Sequence, residues 1–412
     1  MKLRTLTAAA LVAGTALVAP AQTAKFDGAL IELFYTQMMD SNLRLNSAAH
    51  TPAYFAFVTG TTENQFLVKR AEMYFSGTVS EDISWSAMFD PNLTGSTTFG
   101  AVLQDAWANW KVAPGLTLKM GQGKFLQSYE STSVAARNIV FVDRSMVSRF
   151  IGERRDRGIY AQYDFGDPKG FGGKAYLGVT NGMSDNGSGG KQNETNAQKD
   201  VHARLDFSIN GHTFGGYYRT GSTDVSKGQT VAGTGWAATA PTAATITDNS
   251  DKMSNLGLFY FKDTSKYQIF AEGATGLLGR RFPTVFTAAA AMQREHLDQK
   301  YLGYVVQGVY KMGQHWFCLR YDYINYNQGN DWYTSYNPYT QTTTGAALGA
   351  DYTPKFTEVT VGYNYVFLQN KYSAGKLKFD YILRSKNMLK PRAGQTGEQG
   401  GDSLVASLMV SF

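Results

Sequence analysis

The feature that most constrains this chain is a rhythm: stretches of two-residue hydrophobic alternation, joined by connections that are long and short in turn. Successive side chains of a strand point to opposite faces, so each stretch reads as a strand with one greasy and one mostly polar face. In order, strands are expected over Ala29–Met38, Phe66–Thr78, Ile83–Asp90, Val102–Val112, Leu116–Phe125, Gly158–Phe165, Lys174–Thr180 and Val201–Ile209. They continue over His212–Thr220, Ser254–Phe261, Lys266–Ala274, Tyr301–Tyr310, His315–Ile324, Phe356–Leu368, Lys376–Lys386 and Asp402–Phe412. That makes sixteen strands with eight long connections and seven short ones. The short ones carry turn chemistry, as in Ala113-Pro114-Gly115 and the hairpin dipeptide Asn210-Gly211.

An even strand number with every short turn on one side implies an all-β fold: a transmembrane antiparallel β-barrel of about sixteen strands, with short periplasmic turns and long extracellular loops. A tilted strand of about 9–11 residues crosses hydrocarbon, and a β span there must close so that every backbone N–H and C=O pairs. Aromatics gather beside the short turns on the greasy parity: Trp110, Tyr163, Phe165, Phe207, Tyr260, Tyr267, Tyr310, Phe317, Tyr365, Phe367 and Phe412. A ring of this kind is the girdle at a membrane interface, and a soluble sandwich would not place its aromatics there. The greasy face then meets outer-membrane lipid. In the last strand Leu404, Ala406, Leu408, Val410 and Phe412 share that face, and the terminal Phe412 is the kind of end that barrel assembly machinery reads.

The N-terminus predicts export. Lys2 and Arg4 precede an apolar run, Leu6 to Val18, and Ala19-Pro20-Ala21 offers a cleavage site, so residues 1–21 read as a signal peptide and 22–412 as one barrel domain. Cleavage lowers the formal charge from +6 to +4, a mild balance that does not suggest nucleic acid in an exported protein. Cys318 is the single cysteine, which excludes an intramolecular disulfide. No zinc-ligand spacing or nucleotide loop stands out, and no cofactor or metal is expected.

Sixteen strands enclose an aqueous lumen. Residues of the polar parity are therefore expected to line it, among them Arg70, Lys119, Arg320, Lys376, Lys378, Arg384 and Lys386. Acids such as Glu32, Glu72, Asp105, Glu272, Asp322 and Asp380 share that parity, so the wall is close to balanced. The third long connection, 126–155, is unusual because it is both charged and apolar, with Ile139, Val140, Phe141, Val142, Met146, Val147, Phe150 and Ile151. It is expected to fold inward and narrow the pore. Its Arg137, Arg144, Arg149 and Arg154 either face passing anions, which a guanidinium fork suits, or pair with neighbouring acids and brace the loop. Arg157 falls on the lipid parity of its strand.

These features favour a passive outer-membrane channel for small hydrophilic solutes, with a lean toward anions. An outer-membrane enzyme would need a nucleophile, base and orienting group at one rim. His50, His202, His212, His296 and His315 share no spacing with a candidate Ser or acid. A third possibility is a barrel that sheathes a partner protein such as an electron-transfer chain, against which the arginine-rich loop argues.

Four segments resemble the phosphate-selective porin O and P family: Lys69-Arg70-Ala71-Glu72-Met73-Tyr74-Phe75-Ser76-Gly77, Asp105-Ala106-Trp107, Gly121-Gln122-Gly123-Lys124-Phe125 and Arg155-Asp156-Arg157-Gly158. They fall within residues 66–182. The resemblance implies a sixteen-stranded barrel, assembled as a homotrimer, that passes anions such as phosphate along an Arg/Lys-lined path.

Overall fold

A computed structural model of the chain describes residues 22–38, 64–91, 102–124, 126–153, 155–167, 170–182, 199–222, 230–231, 244–245, 252–278, 299–325, 328, 355–370, 373–385 and 402–412. Residues 1–21, Arg154 and Lys386 lie outside these. The first eight barrel strands are β1 (Thr23–Met38), β2 (Asn64–Thr78), β3 (Ile83–Phe89), β4 (Leu103–Ala113), β5 (Leu116–Lys124), β6 (Arg155–Gly166), β7 (Phe171–Thr180) and β8 (Asp200–Ile209). The second eight are β9 (His212–Ser222), β10 (Lys252–Asp263), β11 (Tyr267–Leu278), β12 (Gln299–Met312), β13 (His315–Asn325), β14 (Lys355–Gln369), β15 (Ala374–Arg384) and β16 (Ser403–Ser411). Each pairs antiparallel with the next, and β16 pairs with β1, so the sheet closes into a sixteen-stranded barrel without a free edge. Arg155 opens β6 rather than ending the preceding loop.

Closure brings the first and last strands together. Leu30 to Met38 pair in register with Ser411 to Ser403, and Ala29 N–H donates to the Phe412 carbonyl at 2.9 Å. Gly28 sits beside that carbonyl with φ +136, where a Cβ would lie 1.9 Å from the Phe412 oxygen. The seam therefore requires glycine at this position.

Alternation separates two faces most clearly along the C-terminal wall strands. On β15 Phe379 and Leu383 are exposed outward while Lys376, Lys378 and Asp380 point in; on β16 Leu408 is exposed and Ser403, Ser407 and Ser411 are buried. Aromatics near the short turns touch in series around the outside, as in Tyr163–Phe165–Phe207–Phe214 and Phe317–Tyr363–Phe379, with centroid separations of 5.6–6.4 Å. Amphipathic rings of this kind suit the boundary between hydrocarbon and water.

The segment 126–153 lies inside the barrel, packed against its C-terminal half. It contains a short helix, α1 (Tyr129–Ser133), a 3-10 turn at Ala136–Asn138 and a π turn at Ser148–Gly152. Ser128 starts α1 by accepting a bond from Ser131 N–H at 3.3 Å. Val140 and Phe141 form a cluster with Val309, Trp316, Cys318 and Val366; Val142 packs with Phe34, Ile382 and Val405. Tyr129 stacks on Phe259 at 4.5 Å, and Phe150 meets Tyr301 edge-on at 4.9 Å. Each such apolar side chain contributes about 1.5–3 kcal/mol when buried, which draws the loop onto the wall rather than leaving it in the mouth.

Candidate functional site

The inward loop divides the lumen. Inward side chains of β10 to β16 and β1, including Phe259, Glu272, Val305, Arg320, Asp322, Glu358, Lys378, Asp380 and Glu32, are almost fully buried. Inward side chains of β3 to β7, including Ser84, Ser86, Asp105, Trp107, Asn109, Lys119, Tyr160, Gln162 and Tyr176, keep part of their surface open. The open side of the lumen is therefore the N-terminal one.

Charges on the covered side hold the loop's backbone. Asp380 accepts from Val142 N–H at 2.6 Å and Asp322 from Met146 N–H at 3.1 Å. Glu272 accepts from Glu130 N–H at 3.3 Å and from the Ser128 hydroxyl at 3.2 Å. The bases take the carbonyls: Lys376 donates to Arg137 O at 2.9 Å, Lys378 to Phe141 O at 3.1 Å and Arg320 to Asp143 O at 2.7 Å, while Asn364 takes Val140 O at 2.7 Å. A buried irregular segment must satisfy its backbone somehow. Here wall side chains supply those partners, where a regular helix would supply its own.

This corrects three residues expected to line the pore. Lys376, Lys378 and Arg320 sit on the inward parity, yet the loop covers them. Arg384 pairs with Glu358 at 2.8 Å and donates to the Ser403 hydroxyl at 2.8 Å, away from the open space. In the loop, Arg144 donates to the carbonyls of Glu130 and Val134 and pairs with Glu153 at 2.9 Å. Arg149 pairs with Glu358 at 3.1 Å and lies 3.9 Å from Asp143. Of the two readings left open by the sequence, bracing describes both arginines. Arg137 is exposed on its turn.

Two of the loop's acids, Asp143 and Glu153, are held ionised. Burial would raise the Asp143 carboxyl, but Lys69, Arg149 and Arg70 outweigh it and keep it well below the usual carboxylate range. Burial likewise opposes ionisation of Glu153, and Lys124 and Arg144 overcome it, bringing the carboxyl down to about 2.

Between the loop and the open wall lies a space of about 330 Å³. Its lining includes six basic residues, Arg70, Lys119, Lys124, Arg144, Arg155 and Arg204, and three acidic ones, Glu72, Asp105 and Glu153. Arg70 pairs with Glu32 and lies 3.6 Å from Glu72. Arg155 pairs with Asp105 at 2.6 Å, and Lys124 lies 3.5 Å from Glu153. Arg204 grips Asp206 with two nitrogens, at 2.6 and 2.9 Å, and donates to the hydroxyls of Thr132 and Ser133, each at 2.6 Å. It thereby ties α1 to β8, while Lys376 on β15, seven strands further round the sheet, holds the Arg137 carbonyl, so the loop crosses the lumen. Lys119 has no acid partner among the described residues and rests 5.6 Å from the Tyr160 ring.

Sequence reasoning placed Arg70, Lys119 and Arg144 on this lining and missed Lys124, Arg155, Trp107, Tyr160 and Tyr176. The signal for the aromatics was parity: Trp107 lies between outward Ala106 and Ala108, and Tyr160 between outward Ile159 and Ala161. The four motif segments converge here. Asp105 meets Arg155, Arg70 and Glu72 project from β2, and the Trp107 ring covers Gly123, where a Cβ would lie 2.4 Å from the indole nitrogen. Arg157 points outward and donates to Gln122 at 3.1 Å.

A family model described as phosphate-selective porin O and P matches residues 46–393. The chain belongs to that family. This porin is accordingly a channel of the bacterial outer membrane that passes small solutes with a preference for anions, and its family and fold point to a channel rather than an enzyme. Among solved structures, the porin's fold is similar to that of OmpT of Vibrio cholerae in its trimer form, at 11% identity and TM-score 0.54, covering 95% of this chain and 100% of that one. It is also similar to Salmonella typhi OmpF in complex with daunomycin, at 12% identity and TM-score 0.52, covering 96% and 99%. No curated protein matches the porin in sequence.

Proposed function

We propose that anions cross this porin through the space between the inward loop and the β2–β8 wall, with Lys119 as the cation that contacts them most directly. The observation that carries this is the sixfold basic, threefold acidic lining in which Lys119 alone among the bases has no acid or carbonyl partner among the described residues. Arg70, Lys124, Arg144, Arg155 and Arg204 then act through their summed field, which a low-dielectric wall focuses on the lumen. Arg137, exposed on its turn, would meet solutes on the loop's surface.

In this reading residues 126–153 are the constriction, residues 1–21 direct export, and Phe412 marks the strand end that the assembly machinery engages. The working form is a homotrimer in outer-membrane lipid, without catalytic residue or cofactor. A loop tied to both sides of the lumen leaves little bore for a sheathed partner chain, which counts against the scaffold alternative.

The test is the reversal potential of the purified protein in a planar bilayer across a KCl gradient, followed by added phosphate. Anion-selective reversal, with phosphate reducing the chloride current, is expected. A cation-selective or unselective pore would overturn the anion path, and no conductance would bring the scaffold alternative forward.

A further inference from the structure

The lining of the constriction is richer than an inorganic anion needs. Trp107 and Tyr160 form an edge-to-face pair at 5.2 Å, and Tyr74 and Tyr176 complete an aromatic wall on the same space. Cations sit against these rings: Lys119 lies 5.6 Å from the centre of Tyr160 and Arg204 5.7 Å from that of Tyr176. Glu72 and Asp105 open onto the same space.

Each component has a different effect on a bare phosphate. Ring faces offer it nothing, because they carry partial negative charge. Ionised carboxylates are acceptors only; they repel its charge and have only its P–OH to accept from. A solute that uses all three must combine an anionic group, hydroxyl donors and an apolar ring face. A pyranose bearing a phosphate or carboxylate does so: its axial C–H groups pack on aromatic faces, its hydroxyls donate to carboxylates, and its charge pairs with an ammonium.

We infer that the constriction is a site for anionic sugars, with Trp107, Tyr160 and Tyr176 against the sugar ring, Glu72 and Asp105 accepting from its hydroxyls, and Lys119 holding its charge. This rests on the space being the anion path. The geometry favours it because Tyr74 and Trp107 of that wall belong to the motif segments and glycines make room for its rings. The Trp107 ring lies on Gly123 and Tyr160 lies against Gly178, positions where a Cβ would approach within 2.4 and 2.8 Å of those residues. A site of about 330 Å³ also falls within the range of small-molecule pockets.

The test uses the intact protein in planar bilayers with chloride as the carrier. Glucose 6-phosphate, galacturonate, inorganic phosphate and glucose are added separately, and the concentration that halves the current is read for each. At least one anionic sugar should block at a concentration about tenfold or more below those of inorganic phosphate and glucose. Block by glucose 6-phosphate alone would assign the phosphate sugar, and block by galacturonate alone the uronate. Trp107→Ala should bring the ratio of sugar to phosphate block toward one; if that variant does not fold, the wild-type ratios still decide. An anion-selective pore in which phosphate blocks as well as either sugar overturns the sugar site and leaves the anion path standing. A pore without anion preference overturns both.

Discussion

Lys378 on β15 donates to Glu32 on β1 at 2.8 Å, and both side chains are fully buried. The two strands are not neighbours, because β16 runs between them, and its Ser407 donates to the same carboxylate at 3.0 Å. Arg70 of β2 pairs with Glu32 from the other side. One acid therefore gathers partners from three other strands across the seam where the barrel closes, while Lys378 also holds the loop through the Phe141 carbonyl. Breaking a buried pair costs about 3–5 kcal/mol, chiefly because a charge is left unpaired. Glu32→Gln should lower the temperature at which the folded, fast-migrating form converts on a denaturing gel. Adding Lys378→Met should recover part of the loss, since it removes one stranded charge. A double variant as unstable as the sum of the two singles would refute the coupling.

Lys119 makes the opposite case. With no acid partner to strand, Lys119→Glu should leave the melting of the barrel within about 0.5 kcal/mol of wild type, as for other partly exposed substitutions. It should still move the zero-current potential in a KCl gradient toward cation selectivity, and Lys119→Gln should move it part of the way. An unchanged potential in both variants would show that ions pass elsewhere.

The barrel was legible because alternation is local: Leu377 outward and Lys378 inward can be read from three residues. The burial of Lys378 was not, since the Phe141 carbonyl that covers it lies 237 residues earlier in the chain. Parity separates lipid from lumen, but it does not separate open lumen from lumen filled by a loop. A subtler sign was present. The polar parity of the C-terminal strands carries Phe259, Phe270, Val305, Val309, Trp316 and Val366, greasy residues with no reason to face water. Read together with the apolar run Ile139–Val142, they mark the docking surface. The pairing of Asp105 with Arg155 needed the β4–β5–β6 register, which no single segment contains.

The loop's placement rests on Asp380 and Asp322, which accept the N–H groups of Val142 and Met146. Hydrogen bonds to charged groups contribute about 1.5–3 kcal/mol each. Asp380→Ala together with Asp322→Ala should therefore free this stretch to move off the wall while Phe141 and Phe150 keep part of its packing. The expected result is a noisier single-channel trace with more than one conductance level and weaker anion selectivity, in a barrel that still resists SDS. A single wild-type conductance in the double variant would mean that apolar packing and the bonds to the loop's carbonyls fix the loop without the two acids.

Glu153 supplies a pH signature. Burial works against its ionisation, but Lys124 and Arg144 overcome this and bring the carboxyl to about 2, below its unfolded value. A depressed carboxylate contributes stability that is fully present above the unfolded pKa and is lost as pH falls through the folded one. Wild type should then exceed Glu153→Gln in resistance to unfolding by a constant margin from neutral pH down to about 5, and the two should converge as pH drops toward about 2. Comparing the pair cancels the carboxyls that lie out of reach of Glu153, though not Asp143, whose charge acts on it. Convergence already complete near pH 5 would show that Glu153 is not held by Lys124 and Arg144, and a margin widening toward acid would reverse the sign of the interaction.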